Sequence, residues 1–318
     1  MIKFPKELKP NLKIDSQCSA CLHSNKRPYK YIESIYKDSS FPGFKYLECK
    51  NCNSLFLCNF SNKLSLAKIH SKYYGKFDNS KFQYRNNIKR KSSDIVNEWI
   101  DYYKNKIKMS SKKNYLDLGG GNGECAEAFR KMKFNSYIYE PDKFCKLYIK
   151  KNFKKIKVID TENNLNKINK KFDIITLNYS LEHHQYPHDV FKVISKILKK
   201  NGIVFIHVPS ANSLQVDYLK EYSWEVTPPF HKTLFSLKGL KKFLNINKFL
   251  IKKRYYDTIT FGWTRGIALK NKVGKNYEKL RTNKTFRIID LNIDLLLEKI
   301  SKDLDKSSII SVVATLKK

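Results

Sequence analysis

The second half of the chain alternates between two kinds of apolar pattern. From residue 112 onward, short runs of β-branched and aromatic residues are separated by stretches in which apolar residues recur every three or four positions. This alternation predicts strands joined by crossover helices, which is how a parallel α/β sheet is built. Strands are predicted at 115–118, 136–139, 157–159, 172–177, 203–208, 249–260 and 308–316. Helices are predicted to end at 133, to cover 190–199 and to cover 236–244.

An insertion is predicted before the last strand, at about 265–305. Within it, Ile289, Ile293, Leu296 and Ile300 recur at helical spacing and indicate an amphipathic helix.

The first 111 residues follow a different pattern. Short strand-like runs at 29–36, 44–47 and 54–57 come first, and a polar, aromatic and mostly helical segment follows. Its last part, 95–107, has helical apolar spacing and is expected to pack on the sheet. We therefore predict three parts: a small module at 1–60, a helical connector at 61–111 and an α/β domain at 112–318.

Four of the seven cysteines form two pairs with the same spacing, Cys18 with Cys21 and Cys49 with Cys52. Paired C-x-x-C motifs supply four thiolates, which suits tetrahedral zinc, and the strand-like runs between and after them complete a zinc-ribbon pattern. Two disulfides are the alternative, which the cytoplasm disfavours. A closed four-ligand site has no open position for catalysis, so we expect a structural zinc ion that staples the module.

The chain of 318 residues has a formal net charge of +34, from 63 Lys and Arg against 29 Asp and Glu. Of the basic residues 55 are Lys and only 8 are Arg, and they are spread over the whole length. This distribution favours solvated surface lysines over a clustered phosphate-binding surface, although the charge would steer anionic partners to the protein. No apolar run reaches about 18 residues and the first 15 residues lack an apolar segment, so we expect no membrane span and a cytoplasmic location.

A glycine-rich segment follows the strand at 115–118, where Asp117 precedes Gly119, Gly121 and Gly123. Glycines between a strand and a helix let the backbone approach a ligand at the carboxyl edge of the sheet. The dinucleotide fingerprint needs a glycine where Glu124 stands, and no P-loop lysine follows. Glu140 ends the second strand, where a carboxylate can take both ribose hydroxyls. The combination suits an adenosine ligand without a pyrophosphate.

These segments together resemble the class I S-adenosylmethionine-dependent methyltransferases. The resemblance rests on residues 115–123 (YLDLGGGNG), 138–142 (IYEPD), 172–183 (FDIITLNYSLEH) and 198–209 (LKKNGIVFIHVP). It implies a Rossmann-like, seven-stranded, mostly parallel sheet with an antiparallel last strand. The paired C-x-x-C motifs, with 228–231 (PPFH) and 234–236 (LFS), are similar to a bacterial group that carries an N-terminal zinc-binding module. Many members of that group are associated with sugar or surface-polysaccharide modification.

The resemblance implies a role for each matching position. The methionine part of S-adenosylmethionine would be held by Asp117 and by the backbone of Gly119, Gly121 and Gly123. Glu140 would bind the ribose, and Asp160, just after the third strand, would lie near the adenine amino group. Asn178, at the end of the fourth strand, would line the pocket near the sulfonium.

Histidines are the expected general bases, because methyl transfer to oxygen or nitrogen can require proton removal near pH 7. The three main candidates are His183 and His184, just after the fourth strand, and His231, from a different segment; His188 is a further candidate. In related sequences Glu-His at 182–183 is also a loop-ordering pair. Some quinone O-methyltransferases hold a metal with Glu-x-x-Glu-His here, but Tyr179 stands at the first Glu position. Tyr222 and Trp224 would wall the acceptor pocket or pack in the core.

Three functions are open at this point. The first is methyl transfer to a small, anionic acceptor such as a sugar, a nucleotide-sugar or a polysaccharide precursor. The second is RNA or ribosome methylation, with the zinc ribbon and the basic surface binding RNA. Against it, residues 178–181 read NYSL and lack the Asn-Pro-Pro-Tyr and Pro-Cys signatures of nucleic-acid methyltransferases. The third is a non-catalytic protein that keeps the fold.

Overall fold

The computed structural model describes residues 17–24, 26–28, 44, 46–58, 96–102, 113–160, 165–256 and 262–317. In this part of the chain the strands are β1 (Lys26–Pro28), β2 (Tyr46–Cys49), β3 (Leu55–Leu57), β4 (Asn114–Leu118), β5 (Asn135–Tyr139), β6 (Lys157–Val158), β7 (Phe172–Asn178), β8 (Leu198–Pro209), β9 (Thr233–Leu234), β10 (Phe249–Tyr255) and β11 (Ile309–Leu316). The helices are α1 (96–102), α2 (Glu124–Lys131), α3 (Lys143–Asn152), α4 (Pro187–Ile197), α5 (Leu214–Leu219), α6 (Leu237–Ile246), α7 (Trp263–Lys270), α8 (Gly274–Leu280) and α9 (Lys284–Asp303).

Seven strands form the main sheet, in the order β10-β11-β8-β7-β4-β5-β6. β11 is antiparallel to both of its neighbours, while β4 to β8 pair in parallel. The predicted sheet, including its antiparallel last strand, is therefore confirmed. The carboxyl ends of β4, β5 and β7 share one edge, which brings the predicted site residues to the same side of the molecule.

The core lies on both faces of the main sheet, because its central strands are apolar throughout. Ile174 and Phe205 belong to one buried cluster, and their chain neighbours Ile175 and Ile206 belong to the other. Trp99 of α1 is fully buried and stacks on Phe205, with ring centroids 5.1 Å apart. The expectation that this helix packs on the sheet is correct for 96–102, and the rest of the predicted connector lies outside the described residues.

A second sheet contains the cysteine-rich segment and has the order β1-β2-β3-β9, with all pairs antiparallel. Its fourth strand, β9, follows the main-sheet strand β8 in sequence, and the sequence pattern did not predict it. The strand predicted at 29–36 lies entirely outside the described residues, and the observed β1 precedes it. The sheet of the first module includes β9, a strand from the predicted third part of the chain. The domain boundaries at 60 and 111 therefore stay a prediction.

The insertion before β11 contains α7, α8 and α9. The predicted amphipathic helix exists as α9, but its buried positions are Asp290, Asp294, Glu298 and Ser301. The apolar positions that defined the prediction face outward. No helix within the described ranges combines the length and the apolar composition that crossing a bilayer requires.

Candidate functional site

The glycine-rich turn begins where β4 ends. Gly119, Gly121 and Gly123 all have positive φ, at 76°, 54° and 81°. A methyl group added to Gly119 would lie 2.2 Å from Ser180 Oγ, so the turn passes directly against the end of β7. A methyl group on Gly121 would meet no atom within 4 Å, so open space lies beside this turn. The backbone here can therefore be approached closely by a ligand.

Glu140 ties the glycine-rich turn to the start of α3. Its two carboxylate oxygens accept hydrogen bonds from the backbone N–H of Gly121, at 2.7 Å, and of Asp142, at 2.8 Å. Burial raises the pKa of Glu140 to about 7. A carboxylate offers about four lone-pair sites, so these two bonds leave acceptor capacity for ribose hydroxyls.

Two buried acceptor atoms lie at the ends of adjacent strands. Asp117 Oδ1 accepts from Thr176 Oγ1 at 2.8 Å, while Asp117 Oδ2 and Asn178 Oδ1 have no hydrogen-bond partner in the described part of the chain. Burial raises the pKa of Asp117 to about 6. Buried acceptors without donors are costly, so this pair suits a ligand that brings donors, such as an amino-acid ammonium group. The residues present therefore fit the methionine part of S-adenosylmethionine.

Asp160 differs from these residues. It follows β6 at the same edge, but its side chain is exposed and lies 3.6 Å from Lys146 Nζ. Its contact with adenine stays a prediction.

The structure brings two of the three candidate bases together. The rings of His183 and His231 are 5.0 Å apart, although they lie on different segments. His183 Nδ1 is 3.0 Å from the carbonyl oxygen of Phe230, and His231 Nδ1 is 2.6 Å from that of Glu225. A carbonyl only accepts, so each Nδ1 carries a proton, and in the neutral ring the lone pair is then on Nε2. A neutral ring in this tautomer can act as a base through Nε2.

Glu182 is fully buried beside the two histidines. Its Oε1 lies 3.8 Å from His183 Nε2, and burial raises its pKa to about 8. Ligand atoms of Glu182, His183 and His231 all lie within 4.8 Å of one another, so the three could also hold a cation.

The third candidate, His184, is not part of this group, and burial lowers its pKa to about 4. His188 lies elsewhere on α4, where its ring packs on Phe243 and its Nδ1 is 2.8 Å from Asn247 Nδ2.

The insertion covers the segment that contains Tyr222 and Trp224, the predicted wall of the acceptor pocket. An added methyl group on Gly262 would lie 3.2 Å from Trp224 Cβ, and one on Gly266 would lie 2.8 Å from the carbonyl oxygen of Tyr222. α7 therefore packs closely on the segment that holds Tyr222 and Trp224.

The four paired cysteines converge. Cys18 and Cys52 Sγ are 3.7 Å apart, Cys21 and Cys49 Sγ are 3.5 Å apart, and all four sulfurs lie within 4.8 Å of one another. All four are buried free thiols, so the disulfide alternative is not the arrangement observed. Sulfurs bonded tetrahedrally to one zinc ion at about 2.3 Å are about 3.8 Å apart, so the residues fit such an ion.

The cysteine cluster is joined to the segment that carries His231. Leu57 N–H donates to the carbonyl oxygen of Lys232 at 2.8 Å. The hydroxyl of Tyr46 donates to the backbone carbonyl oxygen of His231. β3 pairs with β9 immediately afterwards, and Ser236 N–H donates to Ser54 Oγ at 3.1 Å. Sequence reasoning missed Tyr46 and this contact, because a buried tyrosine in a strand has no distinguishing pattern.

A family model described as a methyltransferase domain matches residues 84–247, just over half of the chain. The chain belongs to this family. The protein is therefore a class I S-adenosylmethionine-dependent methyltransferase, as the glycine-rich turn and the sheet order suggested. A comparison with curated protein sequences finds no significant match.

Several solved structures are similar to this chain. One is the cyclopropane synthase MmaA2 from Mycobacterium tuberculosis, at 17% identity, covering 70% of this chain and 83% of that chain with a TM-score of 0.45. A second is an S-adenosylmethionine-dependent methyltransferase from Clostridium acetobutylicum, at 14% identity, 80% and 98% coverage and a TM-score of 0.45. A third is the plantazolicin methyltransferase BpumL, at 12% identity, 79% and 95% coverage and a TM-score of 0.49.

Proposed function

We propose that this methyltransferase acts on a small, anionic acceptor such as a sugar, a nucleotide-sugar or a polysaccharide precursor. The observation that carries the proposal is the enclosure of the pair His183 and His231. The segment around His231 is buried from Glu225 to Ser236, and α7 closes over Tyr222 and Trp224 beside it. An enclosed site suits a small molecule better than a folded RNA. The net charge of +34 would steer an anionic acceptor toward it.

The cofactor residues are proposed as the resemblance implied. Asp117 Oδ2 would accept from the ammonium group of S-adenosylmethionine, and the turn at Gly119, Gly121 and Gly123 would approach the methionine part closely. Asn178 would line the pocket near the sulfonium, and Glu140 would take the ribose hydroxyls. Asp160 is the proposed neighbour of the adenine amino group. When bound, the cofactor supplies a methyl group already activated by a sulfonium, so the protein contributes chiefly alignment of the acceptor.

Proton removal is assigned to the histidine pair. Nε2 of His231 or His183 takes the proton from the molecule to be methylated. The carbonyl oxygens of Glu225 and Phe230 hold the two rings in the required tautomer. His184 is the weakest candidate, since a pKa of about 4 makes it a poor base near pH 7.

His231→Ala is expected to lower kcat by about 100-fold or more, because general-base catalysis contributes factors of that size. The dissociation constant for S-adenosylmethionine should stay unchanged, since His231 lies on the acceptor side. Calorimetric titration and steady-state kinetics measure the two quantities. His188→Ala is the matched control and should keep the kcat of the unmodified protein. A His231→Ala protein with unchanged kcat would remove this residue from the mechanism.

We further infer that Cys18, Cys21, Cys49 and Cys52 bind one structural zinc ion. The hydrogen bond with Cys52 and burial raise the pKa of Cys18, burial raises the pKa of Cys21 to about 11, and the hydrogen bond with Cys18 lowers the pKa of Cys52 to about 5. A cation bound by all four sulfurs displaces the protons that the remaining thiols still carry. A cytoplasmic location, which keeps thiols reduced, suits this arrangement.

The acceptor class is tested with methyl-labelled S-adenosylmethionine and unfractionated host extract. We expect the label in small, anionic products that resist RNase. Label in RNase-sensitive polymer would overturn the proposal in favour of RNA methylation. Absence of transfer to any fraction, despite cofactor binding, would favour a non-catalytic protein.

A further inference from the structure

α9 presents its polar face to the protein and its apolar face to solvent. On the inner face, Asp294 accepts from the backbone N–H of Thr264 at 2.8 Å and of Gly262 at 3.2 Å. Glu298 accepts from Ser308 N–H and Oγ, both at 2.8 Å. Asp294 thus lies at the start of α7, where a helix N-terminus favours negative charge, and Glu298 holds the chain before β11. The hydrogen bonds therefore fix which face of α9 points outward.

The outward face is an apolar stripe. Ile289, Ile293, Leu296 and Ile300 recur at helical spacing and are 51%, 42%, 58% and 42% exposed, and Leu304, just after the helix, is 57% exposed. From 289 to 304 the stripe is about 22 Å long at 1.5 Å per residue. Single exposed apolar residues are ordinary on a protein surface, but a continuous row of this length indicates an interaction surface.

The charges on α8 and α9 indicate which kind of partner the stripe binds. Exposed lysines on α8 and α9 are Lys275, Lys279, Lys284, Lys299 and Lys302, whereas the exposed acids on the same helices are Glu278 and Asp303. Glu278 is already paired with Arg265, at 2.9 Å. The other three carboxylates of α9 are turned inward. An apolar stripe on a helix whose exposed charges are mostly cations has the composition of a helix that lies in the surface of an anionic bilayer.

We propose that α9 docks the protein on anionic membranes, with the stripe in the boundary between headgroups and acyl chains. The exposed lysines of α8 and α9 supply the attraction to anionic headgroups. A second copy of the chain is a poorer occupant, because pairing would bring together two such lysine-rich helices on proteins of net charge +34. This inference goes beyond methyl transfer and does not depend on the acceptor.

Vesicle co-sedimentation tests the proposal with the full-length protein. The probes are vesicles of phosphatidylcholine alone and vesicles of phosphatidylcholine mixed with phosphatidylglycerol. We expect binding to the mixed vesicles, and Leu296→Asp should lower the partition coefficient about tenfold or more. The matched control is Leu147→Asp on α3, because Leu147 is 55% exposed and the charge change is the same. That variant should bind like the unmodified protein.

Three results would overturn the proposal. The first is no binding to mixed vesicles, and the second is binding that Leu296→Asp and Leu147→Asp change equally, which would indicate attraction by net charge alone. The third is a dimer in sedimentation equilibrium without lipid that Leu296→Asp dissociates, which would assign the stripe to a second copy. Circular dichroism confirms that each variant is folded, as expected for substitutions of exposed side chains.

Discussion

Gly119→Ala is expected to raise the dissociation constant for S-adenosylmethionine by at least about 100-fold. The new methyl group would lie 2.2 Å from Ser180 Oγ and 2.9 Å from Ser180 Cβ, and the backbone at this position has a φ of 76°. Side chains rarely adopt this conformation, so the turn must move away from β7. Such a movement displaces the cofactor-facing backbone and the buried oxygens of Asp117 and Asn178. Isothermal titration calorimetry measures the change.

Gly274→Ala provides the comparison for this substitution. Gly274 begins α8, its backbone does not have a positive φ, and the nearest atom to an added methyl group is the flexible end of Leu269. It should bind S-adenosylmethionine like the unmodified protein. Thermal unfolding of both variants separates a local change in the turn from loss of the fold. Unchanged affinity in a folded Gly119→Ala protein would contradict the assigned cofactor site.

Cys49→Ser is expected to release the bound zinc and to lower kcat by at least about tenfold. Loss of zinc should lower kcat because the cysteine-rich sheet holds the segment that carries His231. The contacts run through β9, Leu57 and Tyr46. The affinity for S-adenosylmethionine should change little, because the glycine-rich turn lies on the main sheet. Metal analysis, steady-state kinetics and calorimetry on the same preparation measure all three.

Cys58→Ser is the control for the loss of zinc. Cys58 is a buried cysteine directly after β3 and is not one of the four converging thiols. This variant should keep both its zinc and most of its turnover. If Cys49→Ser loses zinc and keeps full kcat, the cysteine cluster stabilises only its own module and does not position His231.

The main sheet could be predicted from the sequence because buried parallel strands are continuous apolar runs. At their length, the apolar runs at β7 and β8 indicate buried strands. The glycine-rich segment then locates the carboxyl edge of the sheet. The cysteine cluster was also predictable, because two equal spacings specify two equivalent turns. Leu22 and Asn53, each directly after the second cysteine of a pair, have nearly equal positive φ values of 58° and 59°.

The rest required contacts that no local pattern encodes. β9 has two residues, Thr233 and Leu234, and too short a run to show alternation. The proximity of His183 and His231 depends on how β9 packs against the rest of the fold. The sequence therefore identified both histidines as candidates but could not show that they lie side by side. For α9, the spacing of its apolar residues identified a stripe correctly. It could not show that Asp290, Asp294 and Glu298 would take the buried positions, because that depends on donors from α7 and from the chain before β11.

The pairing of β3 with β9 also affects how the chain folds as it is made. Leu55 lies opposite Leu234, so about 180 positions separate the two partners. Synthesis delivers all four paired cysteines and three strands of their sheet long before the fourth strand leaves the ribosome. Pairings over such distances are slow, since a long loop must close first. The first three strands of the cysteine-rich sheet are therefore synthesised early, and the sheet can be completed only after the strands between its two halves have been made.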